Sequence, residues 1–447
     1  MSEENSNDHV LILGGGISGL TTAWFLQKAG VPFTLIEKEN KTGGVISSSE
    51  IEGTIVDYGP NSLRDRDGIL RALAAEIGLE DDIIEISEAF KTRYIVRDRE
   101  LQELLPSPKT LFTTNVLSAK GKWRVLAEPF ISKGTAADES VGSFLERRIG
   151  KEAVDYLVDP VFSGIYAGDI YSISKKKILP KLAQNEQKFG SLVMGVLRNK
   201  KERSDIKPAV LSFKKGVQQL AEALESKLAD HTRHEKVLEI NKPDIGFQVK
   251  TEKALYDADQ VISCLPAHKL ESLLVNFDPD LSKTLNEIAY SPMMSTQLIF
   301  RKEDIDFKKS GFGFLIPRKE DIRLLGAIWK TSIFPELSHS DHFHFTLMTG
   351  GAHDTSILNE SVGDIEKEIL REFSGLTGIA HDPLYIRSVL WEKAIPQFHV
   401  GYEKILQKLE NQEQRYLGLH FGGNYRWGVS VPDCIKGAKT LVQQYYK

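Results

Sequence analysis

The sequence predicts an α/β and α+β protein: a nucleotide-binding unit built on a parallel sheet, interrupted by a helical insertion and by a second, sheet-containing domain. Three observations carry this. The chain opens with a strand–helix–strand pattern around a glycine-rich turn. Helix-forming composition with little strand signal follows after about residue 84. Strand-like runs then return and continue almost to the C-terminus.

Val10–Leu13 is a short apolar run without alternation, the pattern of a parallel strand covered on both faces. Ile17–Lys28 has helical spacing, and Phe33–Glu37 is a second apolar run, completing a βαβ unit. Ser143–Leu157 and Ser191–Arg198 read as helices. Strand signals appear at Phe247–Lys250, Gln260–Cys264, Met294–Phe300, Phe312–Ile316, Leu324–Trp329, Phe343–Met348 and Tyr416–Phe421. A helix is expected from Asp433 to Tyr446. The nucleotide-binding domain is therefore expected at 1–84, 225–262 and 403–447. The substrate domain is expected at 85–90, 195–224 and 263–402, and the helical domain at 91–194.

A chain of 447 residues has room for two or three domains, and 41% hydrophobic with 27% charged residues is a globular balance. A net charge of −5 does not advertise a nucleic-acid partner. Cys264 and Cys434 are the only cysteines, too few for a disulfide framework or a four-cysteine zinc site. The start, MSEENSNDHV, is polar and acidic, unlike a signal or transit peptide, and no apolar run reaches bilayer length. The expectation is a cytoplasmic protein, soluble or peripheral on the inner face of the membrane.

LILGGGISGL carries Gly-x-Gly-x-x-Gly as Gly14, Gly16 and Gly19, after a strand and at the opening of a helix. In that context the glycines permit a tight turn, backbone approach to a pyrophosphate and close helix–strand packing, while the helix N-terminus offers unpaired N–H groups. Glu37, ending the second strand, is placed to accept from a ribose diol and to repel a 2′-phosphate. Gly43–Gly44 in EKENKTGG, the stretch DYGPNS (Asp57–Ser62) and FGGNYRWGVSVPDC (Phe421–Cys434) near the C-terminus each resemble motifs of the flavin amine oxidase superfamily, and that resemblance implies FAD rather than NAD.

GGGISGLTTAWFLQKAG, DYGPNS, FSGIYAGD, CLPAHKL, WEKAIPQF and GNYRWGVSVPDC follow one another across nearly the whole chain. In this series the sequence resembles the oxygen-dependent protoporphyrinogen and coproporphyrinogen oxidases of the flavin amine oxidase superfamily. Their FAD-binding domain is Rossmann-like, of the glutathione-reductase type. The resemblance implies FAD contacts from Gly14, Gly15, Gly16, Ile17, Ser18 and Gly19, from Glu37, Lys38 and Gly44, and from Gly59, Pro60, Asn61 and Ser62. It adds Val237 beside the adenine, then Trp391, Gly423, Val429, Ser430 and Val431. For Trp391 a core or interface tryptophan is an equal reading.

On the substrate side the resemblance implies that Arg93 pairs with a propionate, a contact suited to a planar guanidinium fork. Phe312 and Leu315 would clamp the macrocycle, Met348 would add to that wall, and Gly168 would present a backbone carbonyl. The plainer readings are a solvated arginine among Lys91, Arg97 and Arg99, ordinary strand core, and a turn glycine. The implied reaction is six-electron oxidation of protoporphyrinogen IX to the porphyrin, with oxygen as reoxidant and hydrogen peroxide as by-product. Coproporphyrinogen III is the alternative substrate; the two differ in whether two ring substituents are vinyls or propionates, and one arginine does not decide between them. A two-electron flavin must cycle three times. No acid–base pair stands out, which suits chemistry that needs orientation and an apolar cavity.

His342 and His344 alternate with phenylalanines and are expected to share one half-exposed strand face without metal. Cys434 is not expected to attach flavin. Pro106–Ala127 contains no acidic residue and interleaves Lys109, Lys120, Lys122 and Arg124 with Leu111, Phe112, Val116, Leu117, Trp123 and Val125. It reads either as a lipid-facing stretch or as a solvated helical face, with Lys175–Lys177 as another basic run. Transient contact with the next haem-pathway enzyme and a homodimer both stay open. The competing enzyme readings are a flavin amine oxidase and a carotenoid desaturase. The non-enzyme reading is a GDP-dissociation-inhibitor-like binding protein.

Overall fold

The computed structural model describes residues 9–105, 110–198 and 208–446. Five parallel strands form one sheet in the order Thr232–His234, Phe33–Glu37, Val10–Leu13, Gln260–Ser263, Leu419–Phe421. Val10–Leu13 is central and wholly buried, which is why its sequence is apolar at every position. One face packs on the helix Ile17–Ala29, which lies against Gln218–Leu228 and the C-terminal helix Val431–Tyr445. The other face packs Leu11, Leu13 and Ile36 against a three-stranded antiparallel sheet (237–258) and the helices Ala267–Leu274 and Tyr402–Arg415. This is the doubly covered parallel sheet that the opening βαβ pattern predicts.

A second, seven-stranded sheet runs Tyr385–Pro396, Tyr290–Arg301, His342–Gly350, Leu324–Trp329, Gly313–Leu315, Arg93–Arg97, Glu100–Leu104. One face carries Leu298, Phe314, Phe345 and Leu347 onto Phe373 of the helix Val362–Thr377. Each such side chain contributes about 1.5–3 kcal/mol on full burial. The sheet's first face is thereby consumed as core, and its other face is left for the site.

Two local readings are corrected. Residues 93–104, which the sequence places among helices, form a hairpin at the edge of this sheet, with Tyr94 paired to Phe314 and Arg97 to Glu100. Its two-residue turn, Asp98–Arg99, has φ of 55° and 61°, both left-handed, without the Asn-Gly or Asp-Gly that normally signals such a turn. The expected helix 143–157 ends at Ile149, and Gly150 (φ 89°) separates it from a new start at Lys151 that widens into a π turn over Val154–Val158. Among the described residues no helix is long and apolar enough to cross a membrane.

Candidate active site

The phosphate loop is built by close backbone approach. A Cβ on Gly19 would overlap Gly14 O, so this position accepts only glycine if helix and strand are to meet. A Cβ on Gly16 would meet nothing within 4 Å, leaving its backbone open to the side from which a phosphate can approach the Ile17 and Ser18 N–H groups. Gly15 N donates to Glu37 Oε2 (2.7 Å) and Glu39 N to Glu37 Oε1 (3.0 Å), which fixes the buried carboxylate while leaving each oxygen further accepting capacity. Lys38 is turned outward onto Glu39 at 2.8 Å. Val237 follows closely on Glu235, whose N–H donates to Glu37 O at 2.7 Å, so it lies on the Glu37 side of the sheet.

The second glycine pair laces onto this loop. Gly43 N donates to Gly15 O (2.8 Å), and a Cβ on Gly44 would stand 3.3 Å from Gly16 Cα. Gly59 runs so close beneath Val45 O that a Cβ there would overlap it, which ties DYGPNS to the same assembly. Gly59, Pro60, Asn61 and Ser62 are partly exposed. Asn61 Nδ2 donates to Gly59 O at 3.0 Å, and Thr346 Oγ1 donates to Asn61 Oδ1 at 3.1 Å.

The C-terminal motif reaches the same place from the opposite end of the chain. Gly423 opens a short helix, Asn424–Trp427, and Ser430 caps Val431–Tyr445, accepting from Asp433 N at 3.2 Å. Val429 and Val431 flank this cap. The first turn of the final helix packs on the first turn of Ile17–Ala29, where Cys434 faces Ser18. Both thiols are buried and pushed up to about 12 by desolvation, so neither is a ready nucleophile.

The face of the seven-stranded sheet opposite the Phe373 core carries the expected substrate residues Leu315 and Met348. Leu315, Gly326, Met348 and Ser295 lie directly opposite one another across four strands. Directly opposed residues point to one face, so Leu315 and Met348 flank a glycine that leaves the floor between them flat. Trp391, opposite Met293, and Thr346, opposite Gln297 and Ile328, share that face. At the sheet's edge the Arg93 guanidinium lies over the Phe312 ring, 5.6 Å from its centroid. Phe312 N is held by Thr92 O at 2.8 Å. Gly168 is buried beside Gln397, and Gln397 Nε2 donates to Tyr166 O at 2.8 Å, so GIYAGD and AIPQF form one unit.

Comparison with known proteins decides the family. The profile of the family "Flavin containing amine oxidoreductase" matches residues 17–444. The chain belongs to that family. Within it, the chain is similar to the mitochondrial protoporphyrinogen oxidase of Nicotiana tabacum (29% identical, covering 99% of this chain and 96% of the relative). It is similar also to protoporphyrinogen oxidase 2 of Arabidopsis thaliana (30%; 99% and 95%) and to the coproporphyrinogen III oxidase of Bacillus subtilis strain 168 (29%; 97% and 97%). A solved structure from Exiguobacterium sp. 255-15 superposes with a TM-score of 0.85 at 24% identity, covering 100% of this chain and 99% of that one. A reduced UDP-galactopyranose mutase superposes at 0.75 with 14% identity, covering 98% and 93%, which marks the shared fold.

FAD is the cofactor of this flavin-containing family, and the residues present suit it: the open backbone at Gly16 and the buried carboxylate of Glu37 form a cradle for a pyrophosphate and a ribose. The structure also brings in residues that sequence reasoning missed. Lys330, on the segment leaving the Leu324–Trp329 strand, is buried and donates to Asp57 Oδ2 (3.0 Å) and Asn61 O (2.7 Å). Behind it, Gln297 Oε1 meets His344 Nε2 (3.0 Å) and Thr346 Oγ1 (2.8 Å). A lysine next to a strand tryptophan was the only available signal, and its partners lie more than 250 residues away.

Other expectations need correction. His342 and His344 share a strand face as predicted, the face that further along carries Thr346 and Met348, but both histidines are buried, not half-exposed: His342 Nδ1 meets Thr54 Oγ1 at 2.9 Å. Burial holds His344 near pKa 3, with the Lys330 charge adding to the effect. Among the described residues no cluster of three His, Cys, Asp or Glu can hold a metal. In the basic run Lys175–Lys177 only Lys176 is exposed. Lys175 is buried on Glu139 (2.7 Å), Lys176 pairs with Glu403, and Lys177 sits over the Phe398 ring at 5.3 Å. In the 106–127 stretch Lys109 lies outside the described residues. Val116 and Leu117 are core, and Arg124 donates to Arg147 O and Arg148 O, while Trp123 is 73% exposed.

Proposed function

We propose that this chain is an FAD-dependent porphyrinogen oxidase of haem biosynthesis. It removes six electrons from a porphyrinogen to give the porphyrin, with oxygen as acceptor and hydrogen peroxide as by-product. The observation that carries the reading is the Arg93 guanidinium over Phe312 beside the flat apolar strip of Leu315, Gly326 and Met348. A macrocycle with an apolar face and carboxylate arms matches that combination. The names of the relatives from tobacco, Arabidopsis and Bacillus subtilis support it.

The chemistry that bound FAD would supply is two-electron oxidation of a bridge carbon, with oxygen as the final acceptor. The protein's residues orient and enclose. Gly14–Gly19, Glu37, Gly44 and Val237 would hold the dinucleotide. Gly59–Ser62, Trp391, Gly423 and Val429–Val431 would border the ring, and Lys38 would stay at the rim. Phe312, Leu315 and Met348 would press on the macrocycle, and the Gly168 backbone would meet it from the helical side. Alignment, rather than a strong base, supplies the rate, so no acid–base pair is assigned.

The exposed side chains of Trp123, Phe130, Val193, Val196 and Leu197, with Lys120 nearby in sequence, suit contact with an anionic membrane surface. The direct test of the activity is oxidation of protoporphyrinogen IX and coproporphyrinogen III under air, followed by porphyrin fluorescence with boiled protein as control. Enzyme-dependent formation of either porphyrin supports the reading, and no rate with either refutes it.

A further inference from the structure

Three arginines, Arg64, Arg66 and Arg93, lie near one another beside the candidate substrate residues Phe312 and Leu315. The strand Leu63–Asp65 follows the DYGPNS loop directly. Leu63 and Asp65 are buried, so Arg64 between them is turned outward. Arg64 stands opposite Val210, and Val210 packs on the same apolar cluster as Phe312, the ring beneath Arg93. Arg66 follows two residues later and is exposed. Its charge is felt at Tyr166, whose backbone oxygen anchors the Gly168 turn through Gln397, so Arg66 lies near the GIYAGD unit.

The neighbouring carboxylates are already committed. Asp65 caps the next helix, accepting from Leu70 N (3.4 Å) and Arg71 N (3.2 Å). Asp67 pairs with Lys436 at 2.8 Å, Glu85 with Arg71 at 2.6 Å, and Glu88 with Lys91. Among the described residues no carboxylate pairs with Arg64, Arg66 or Arg93. The three charges feel one another: desolvation, Arg66 and Arg93 together push the Arg64 pKa down. Like charges left together without counter-ions destabilise the free protein, and an anionic ligand relieves that repulsion.

We infer that Arg64 and Arg66 act with Arg93 as a carboxylate-binding rim that favours coproporphyrinogen III, with four propionates, over protoporphyrinogen IX, with two. This rests on the porphyrinogen reading above. Two carboxylates leave one guanidinium unmatched, whereas four can engage all three through planar, charge-assisted contacts.

The test compares kcat/KM for both substrates in FAD-loaded wild type, Arg64→Gln, Arg66→Gln and the matching lysine variants, with flavin absorbance confirming the holoenzyme. The wild type is expected to prefer coproporphyrinogen III. Each glutamine variant should lose about tenfold on it, mainly through KM, and less than about threefold on protoporphyrinogen IX, with the lysine variants recovering part of the loss. A wild-type preference for protoporphyrinogen IX, or equal losses on both substrates, overturns the rim and leaves the porphyrinogen reading standing. No turnover of either substrate overturns that reading, and the rim with it.

Discussion

Lys330 Nζ lies 3.0 Å from Asp57 Oδ2 with both side chains buried, and the same ammonium donates to Asn61 O at 2.7 Å. One lysine at the end of the Leu324–Trp329 strand therefore holds both ends of the DYGPNS loop. Removing one partner of a buried pair leaves the other charge uncompensated, at about 3–5 kcal/mol. Lys330→Ala is expected to lower the urea midpoint and to speed flavin release. An unchanged midpoint with unchanged flavin retention would show that the pair does not anchor the loop.

Glu37 tests the cofactor site without involving catalysis. Glu37→Ala removes the acceptor for Gly15 N and Glu39 N and the carboxylate proposed for the ribose. Hydrogen bonds to charged groups contribute about 1.5–3 kcal/mol each, so FAD affinity should fall at least tenfold in a fluorescence titration of apoprotein. Gly19→Ala, whose Cβ would overlap Gly14 O, should give protein without flavin colour.

His344 predicts an acid limit to stability. Its folded pKa is lowered from 6.5 to about 3 by burial. Below pH 6.5 the unfolded chain takes up a proton there that the folded chain refuses, so this contribution is complete above pH 6.5 and is lost as pH falls toward 3. His344→Gln, measured by urea unfolding across that window, should show a shallower decline than wild type. An identical slope would mean that the imidazole is protonated in the folded state.

Arg93 should act in binding more than in turnover. Arg93→Ala is expected to raise KM for a porphyrinogen about tenfold or more with a smaller change in kcat, and Arg93→Lys to recover part of the loss as a point charge without the fork. Loss confined to kcat would place Arg93 in the chemical step instead.

Much of this was legible in the sequence where the signal is local. Val10–Leu13, Gly14–Gly19 and Glu37 lie within one βαβ unit, and their spacing alone specifies the turn, the helix N-terminus and the carboxylate. The failures share a physical cause. Lys330 meets Asp57 through tertiary pairing, which no periodicity encodes. The Asp98–Arg99 turn adopts left-handed conformations without glycine, so its hairpin passed for helix-rich sequence. Lys175 and Lys176 read as part of a basic run because their partners Glu139 and Glu403 are not local in sequence. Leu315 and Met348 were nameable by resemblance, but their placement on either side of Gly326 needed the strand register.

The most direct test is anaerobic mixing of FAD-loaded protein with freshly reduced coproporphyrinogen III or protoporphyrinogen IX while the oxidised-flavin absorption is followed. Rapid bleaching, with recovery and porphyrin fluorescence on admitting oxygen, is the predicted result. A flavin that stays oxidised with both substrates, while remaining bound, would contradict porphyrinogen oxidation by this chain.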